Sequence, residues 1–456
     1  MSEQGKKAGH YSLDTFRIYR YNEPNQFVDL KAIIHTWEII ESMDNGHLHG
    51  SAKVYDSVGL LDNFLGDGWL RGEEELFISY RDWYDEETIQ HNMFVYSVSD
   101  VQRINDSNES MYSYTLHFVS KDKFVTEQTK VRRGFRNQLI SENVQQIYDD
   151  FYTGNKELYI EDTSGEQTLI VPNYSPEQAM YFFARRAHSA NNPSQTFRFF
   201  ENRDRYVFAT HEDLIFDAQG EEIQIYRRTY SGNDDTPEAQ RLKMLSIIEI
   251  EYPLHINTMR DMSDGAYYRN LTELDILNRT VLFNEYRYLD EYDQHLLPDG
   301  QGRVRSKHSK EFVDQYMSYP NDSLVIKDYA TPDQNGTAYG LRPNTFYPEV
   351  YNDKRVAHYH HQNELITIKT YGNNTVFAGS LIQLDLNTVN NVDGEKGKDE
   401  LRSGIYMVES VRNVFYEENY YQIMSISKSG FKGRPERSSD YENERTTESV
   451  FTEGAR

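Results

Sequence analysis

The sequence predicts a mainly β protein with α+β insertions: two similar β modules, as barrels or sandwiches, and a helix–hairpin domain. Three observations carry this. Long stretches alternate apolar and polar residues at the period of a strand. Residues that favour strands are abundant, with 36 Tyr and 23 Phe against only 12 Pro. One phrase also occurs nearly twice, VSKDKF at 119–124 and ISKSGF at 426–431, each time closing an aromatic and β-branched run.

Taken in order, residues 27–56 read as two long strands joined at Asp44-Asn45-Gly46, because Asn-Gly supplies the positive φ angles of a tight hairpin. Residues 92–120 read as a second hairpin, with Val95, Ser97 and Ser99 alternating with Tyr96 and Val98. Residues 403–428 read as a third. The offset that lays Lys121 on Lys428 also lays Tyr114 on Tyr421, Leu116 on Ile423, Val119 on Ile426 and Phe124 on Phe431. A slightly longer offset lays Tyr96 on Tyr406, Val98 on Val408 and Val101 on Val411, the difference falling in a turn that tolerates it. A further offset lays Met43 on Met262, Gly46 on Gly265 and Asp56 on Asp275. The expectation is one module written twice, continuous over 11–128 and then split into 241–285 and 363–432 by an insertion at 286–362.

Between the copies the period changes. In 141–152, Val144, Ile147, Tyr148 and Phe151 share one helical face. In SPEQAMYFFARRAHS, Ser175 is the N-cap, Pro176 the first helical residue and Gln178 the third, which together make a capping box. Strands at 197–200 and 206–208 follow, so 129–240 is predicted to be a small α+β domain. The segment 433–456 is charged and lacks apolar periodicity, and is expected to be a flexible C-terminal arm, either disordered in isolation or ordering on a partner.

Composition narrows the chemistry. The 456 residues suffice for about two to four domains. With no cysteine, disulfides, thiolate metal sites and cysteine nucleophiles are excluded. Asp and Glu number 73 against 48 Lys and Arg, a formal net charge of −25, which repels nucleic acid phosphate. The N-terminus lacks an apolar core of signal-peptide length and no stretch approaches a membrane span, so a soluble protein made in the cytoplasm is expected, without stable membrane insertion.

No motif supplies a catalytic constellation, and no cofactor or metal is called for. Ser-x-x-Lys occurs at Ser120–Lys123 and Ser425–Lys428, but each follows a strand pattern instead of opening a helix. His358, His360 and His361 cluster without the convergent partners that zinc requires. The glycines of GDGWLRG (66–72) fit turns rather than a phosphate-binding loop. Glu73, Glu74 and Glu75 read as a solvated charged run. A basic island in an acidic chain, Arg303, Arg305, Lys307 and Lys310, is either a solvated loop or a docking site for an acidic neighbour.

In order and layout the chain resembles the central baseplate hub protein of contractile phage tails, related to the hub region of type VI secretion valine-glycine-repeat spikes. The segments that carry the resemblance are IIHTWEIIESMDNGHLHGSAKVYD, WLRGEEELFISY, FVYSVSDVQRI, SPEQAMYFFARRAHS with TFRFFENRDRYVFAT, TVFAGSLIQLDL, and SGIYMVESVRNVFYEENYYQIMSISK. The resemblance implies two tube-forming β-barrels per chain and a homotrimer of pseudo-six-fold shape. Its implied partners are a tail tube protein, a central spike protein and other baseplate proteins, with DNA only as a passenger through the channel. The implied location is the virion tail baseplate, assembled in the host bacterial cytoplasm, with no enzymatic activity. Two other readings stay open: a tail-associated cell-wall-degrading enzyme on a β scaffold, and a receptor- or sugar-binding tail protein.

Overall fold

The computed structural model describes residues 7–21, 23–57, 59–61, 70–83, 87–106, 109–191, 196–218, 223–228, 236–254, 257–263, 265, 267–276, 278–287, 312, 315–317, 321–326, 364–392, 395–399 and 402–428. The protein is mainly β, and among the described residues the largest sheet has 13 strands.

The first module contains β1 (Tyr11–Arg20), β2 (Glu23–Asp29), β3 (Ile34–Ser42), β4 (His49–Asp56), β5 (Glu75–Asp82), β6 (Ile89–Asp106) and β7 (Glu109–Ser120). Six of these pair in the order β1-β5-β6-β7-β4-β3, all antiparallel, and β2 flanks β1. Alternate residues of each strand turn inward: Phe16 and Ile18, Trp37 and Ile39, Ala52 and Val54, Leu116 and Phe118 are all buried. The sheet curls until its end strands meet, with the rings of Phe16 on β1 and Trp37 on β3 centred 5.7 Å apart. Burying such rings supplies the main driving force for closure.

The helix–hairpin unit follows: α1 (Lys121–Thr126), β8 (Val131–Gln138), α2 (Ile140–Phe151), β9 (Glu157–Ile160), β10 (Gln167–Tyr174), α3 (Pro176–Ala184), β11 (Arg198–Glu201), β12 (Arg205–Ala209) and α4 (His211–Asp217). The predicted capping box of α3 is present. Ser175 Oγ accepts from the Gln178 amide at 3.3 Å, and Gln178 Oε1 accepts from the Ser175 amide at 3.0 Å. On α2, Val144, Ile147 and Tyr148 are buried as the period predicts, and Phe151 packs at the margin of the same core.

The second module draws on β13 (Gln224–Arg227), α5 (Pro237–Met244), β14 (Ile247–Leu254), and then, after α6 (Thr258–Ser263), β15 (Tyr268–Asp275), β16 (Thr280–Arg287) and β17 (Asn321–Ile326), on β18 (Glu364–Tyr371), β19 (Leu381–Asp385), β20 (Asn387–Val392), β21 (Glu395–Lys398), β22 (Gly404–Tyr416) and β23 (Asn419–Lys428). Its strands run β13-β19-β22-β23-β18-β14. The ring closes where the Arg227 amide donates to the Leu245 carbonyl at 3.0 Å, just before β14. Five of its six strands thus repeat the order of the first module; the sixth, β13, lies parallel to β19 where β1 lies antiparallel to β5.

The repeat is real in layout, but its register differs from the sequence reading. Both long hairpins carry a bulge, at Tyr96 in β6 and at Glu409 in β22. Aligning the bulges lays Val95 on Val408, Phe118 on Ile426 and Leu116 on Met424. The repeated phrase is therefore one residue out of step, and a one-residue slip exchanges the two faces of a strand. Burial agrees with the structural register, since Leu116 and Met424 are both fully buried whereas Ile423 is not. The match of Met43, Gly46 and Asp56 to Met262, Gly265 and Asp275 does not correspond to the fold. β15 pairs with β16 and β17 in a separate sheet, and the counterpart of the β3–β4 hairpin is β14 with β18. The second copy is interrupted at that hairpin's turn, and residues 268–287 lie on the insertion side of the break.

Candidate assembly interface

The two modules join edge to edge through one strand pair, β22 with β3, in register from Ser410 opposite Ser42 to Tyr416 opposite Thr36. Near its end Phe415 lies opposite Trp37, and their rings stack with centroids 3.7 Å apart and planes 4° from parallel. On the outer face Arg412 Nε donates to Glu38 at 2.7 Å. Such a partly exposed pair contributes about 0.2–1 kcal/mol, so the rings and the backbone ladder dominate this joint.

The helix–hairpin unit sits across the joint. Phe200, Val207, Ala209, Leu214 and Ile215 from its hairpin and α4 form one core with Met43 of the first module and Ala378 and Met407 of the second. The β3–β4 turn reaches into this unit, where the Gly46 amide donates to Tyr181 Oη at 2.6 Å and the Leu48 amide to Glu201 Oε2 at 3.0 Å. A side chain on Gly46 would collide with Glu177 and Tyr181.

Each module presents one buried histidine–carboxylate contact to this unit. In the first, His47 Nδ1 is 3.7 Å from Glu201, which Lys156 also holds at 2.9 Å. Burial alone would raise the Glu201 carboxyl, but Lys156 and His47 outweigh it and hold the group well below the usual carboxylate range. In the second, His211 Nε2 is 3.2 Å from Glu409 Oε1, to which Ser427 Oγ donates at 2.5 Å. Burial opposes ionisation there too, yet His211, Arg198 and Ser427 keep Glu409 at about 2. Glu409 is the bulge residue of β22, so the bulge delivers a carboxylate to α4.

Ser120, Lys123, Lys428 and Glu74 find structural partners, whereas residues 66–69 of GDGWLRG lie outside the described residues. Ser120 Oγ lies 3.3 Å from His47, while Lys123 is paired with Glu177 at 2.6 Å. Lys428 is buried, donates to the Ser403 carbonyl at 3.2 Å and lies over the Tyr406 ring. Glu73 and Glu75 are exposed as expected, but Glu74 is buried, because its carboxylate gathers the backbone amides of Arg71, Gly72 and Glu73. Burial raises its pKa while those amides oppose the rise. Among the described residues no group of His, Asp and Glu is arranged to hold a metal, and no helix is long and apolar enough to cross a membrane. Arg303, Arg305, Lys307 and Lys310, the histidines at 358, 360 and 361, and the C-terminal arm lie outside the described residues.

No protein-family model matches the sequence, and no curated protein matches it. Solved structures do. The tail protein from Neisseria meningitidis MC58 superposes with a TM-score of 0.51 over 92% of this chain and 98% of that one, at 8% identity. This chain has the fold of that tail protein. The 43 kDa tail protein of prophage MuSo2 from Shewanella oneidensis aligns at a TM-score of 0.49 and 7% identity, over 92% of this chain and 100% of that one. A chain of the Francisella PdpA-VgrG complex aligns at 0.45 and 8% identity, over 94% of this chain and 60% of that one. Within the tail-protein fold, the joint that sequence reasoning did not foresee is β22 with β3. The only sequence signal for it is a run of apolar residues on both strands, which reads equally well as barrel interior.

Proposed function

We propose that the chain is a structural component of a contractile phage tail: the baseplate hub, a homotrimeric ring of pseudo-six-fold shape joining a hexameric tail tube to a trimeric central spike. The observation that carries the reading is the edge-to-edge joining of two six-stranded modules in one chain. Three such chains offer six similar modules to a six-fold tube, while the units that differ between modules repeat only three times. One insertion and one helix–hairpin unit per chain fit that division. The tail-protein fold supports a structural role in place of catalysis and a site in the virion tail. The formal charge of −25 suits a wall past which DNA slides without sticking.

The test is native mass by light scattering after size exclusion, with negative-stain images of the same peak. A three-chain ring with six lobes around a channel is expected, alone or once spike protein is added. A chain that stays single even with the spike present would overturn the hub and favour the cell-wall-degrading enzyme.

A further inference from the structure

The joint inside the chain has two unmatched ends. β22 uses its first residues, Gly404–Met407, to pair with β19 and the later ones, from Ser410 onward, to pair with β3. β6 is its counterpart and pairs with β5 only through Ile89–Phe94. Among the described residues, β6 beyond Phe94 has β7 on one side and no strand on the other. The counterpart of β3 is β14, which pairs with β18 on one side and with no described strand on its other. The edge that β22 fills in one module is thus open in the other, and so is the edge that β3 fills.

Open edges of this length invite another chain unless something blocks or covers them. These two also carry exposed apolar side chains: Val101 at 52% and Ile104 at 37% on β6, and Ile248 at 40% and Tyr252 at 39% on β14. At the filled joint, by contrast, Trp37 is 2% exposed and Phe415 is fully buried.

We propose that β6 of one copy pairs antiparallel with β14 of a second copy, in the register of the internal β22–β3 joint. The inference rests on the ring reading above and names its contact between chains. The internal register gives that contact by residue. Val414 lies opposite Glu38 and Tyr416 opposite Thr36. Past the second bulge of β6, at Asp100–Val101, the counterparts of Val414 and Tyr416 are Gln102 and Ile104. Through the pairing of β14 with β18, the counterparts of Glu38 and Thr36 are Glu251 and Glu249. Gln102 therefore faces Glu251 of the second copy, and Ile104 faces its Glu249. The contact is head to tail, so it propagates from copy to copy until the rotation closes a ring.

The chain has no cysteine, so engineered pairs report without background. Cα atoms facing across an antiparallel pair lie about 4.5–5.5 Å apart, within disulfide reach. Two double variants, Gln102→Cys with Glu251→Cys and Ile104→Cys with Glu249→Cys, are oxidised at the concentration where the native mass is measured. Circular dichroism checks that each is folded. The expected result is reducible two- and three-chain bands from both doubles and single-chain bands from each single variant. If light scattering gives a ring while both doubles stay at one chain, the strand contact is wrong and the hub reading survives. A chain that is single in solution, with no cross-link, overturns the contact, and the spike titration then decides the hub separately.

Discussion

Trp37 and Phe415 are single residues on which two modules turn. Their stacked rings are buried between β3 and β22, and Tyr80 and Tyr420 pack against the same Phe415 ring at centroid distances of 4.8 and 4.3 Å. Truncating Trp37 leaves a cavity that its β neighbours cannot collapse into, so Trp37→Ala should cost about 3–5 kcal/mol. Urea unfolding monitored by circular dichroism measures it, and a loss below about 1 kcal/mol would show that the joint closes without the stack. The strand that carries Trp37 was legible in the sequence. Its partner was not, because alternation tells which face a residue takes and nothing about which distant strand lies opposite. Glu74 shows the reverse: its carboxylate reads as surface charge, yet three amides of its own loop hold it inside.

At the scale of elements, the hairpins and helices with strong local signals were legible: the β6–β7 and β22–β23 hairpins, the capped α3, and the β3–β4 hairpin, although its strands are joined by a longer loop, 43–48, in which neither Asn45 nor Gly46 has the positive φ of a tight Asn-Gly turn. What escaped was non-local. β13 enters a barrel by a parallel pairing that its four residues do not announce, and the two bulges shifted the repeat out of the register that matching letters suggest. Close approach of elements supplies a sharper test. Gly372, at the end of β18, lies against Tyr420 of β23 so tightly that an added Cβ would sit 1.9 Å from a ring carbon. The ring cannot swing aside without losing the bond from Tyr420 Oη to Asn413 Oδ1 at 2.8 Å. Gly372→Ala should therefore destabilise by about 1–3 kcal/mol, despite its minimal size. An unchanged melting temperature would show that β18 and β23 separate more easily than this packing implies.

For the molecule as a whole, His91 and Glu409 couple stability to pH in the same direction, and buried carboxyls whose pKa is raised, such as Glu74, Glu41 and Glu161, act in the opposite one. His91 is buried against Tyr80, and burial pushes its pKa down to about 3. An unfolded histidine takes up a proton below pH ~6.5, so acidification from there towards pH 3 favours the unfolded chain. Glu409, held at about 2, is ionised in the fold, whereas an unfolded carboxyl is protonated below pH ~4.3. Its contribution is complete above that value and is lost as pH falls towards 2. In urea titrations the His91 and Glu409 contributions should be level above neutrality and decline in two overlapping stages, against the opposite contribution of the raised carboxyls. His91→Phe should flatten the stage between pH ~6.5 and ~4.3 and leave the lower one intact. An unaltered profile in that variant would mean that His91 opens to water.

The break in the second module has a meaning for how such a chain acquires new parts. Leu254 lies opposite Leu365, so the strands on either side of residues 255–363 are already held in pairing distance. To the barrel, everything between them is a hairpin turn, and the entropy of closing a turn grows only with the logarithm of its length. Sequence can be gained or lost at this point at a small, nearly constant cost, while the six strands keep their register. A lineage could thus exchange what the chain carries there without redesigning the barrel that carries it.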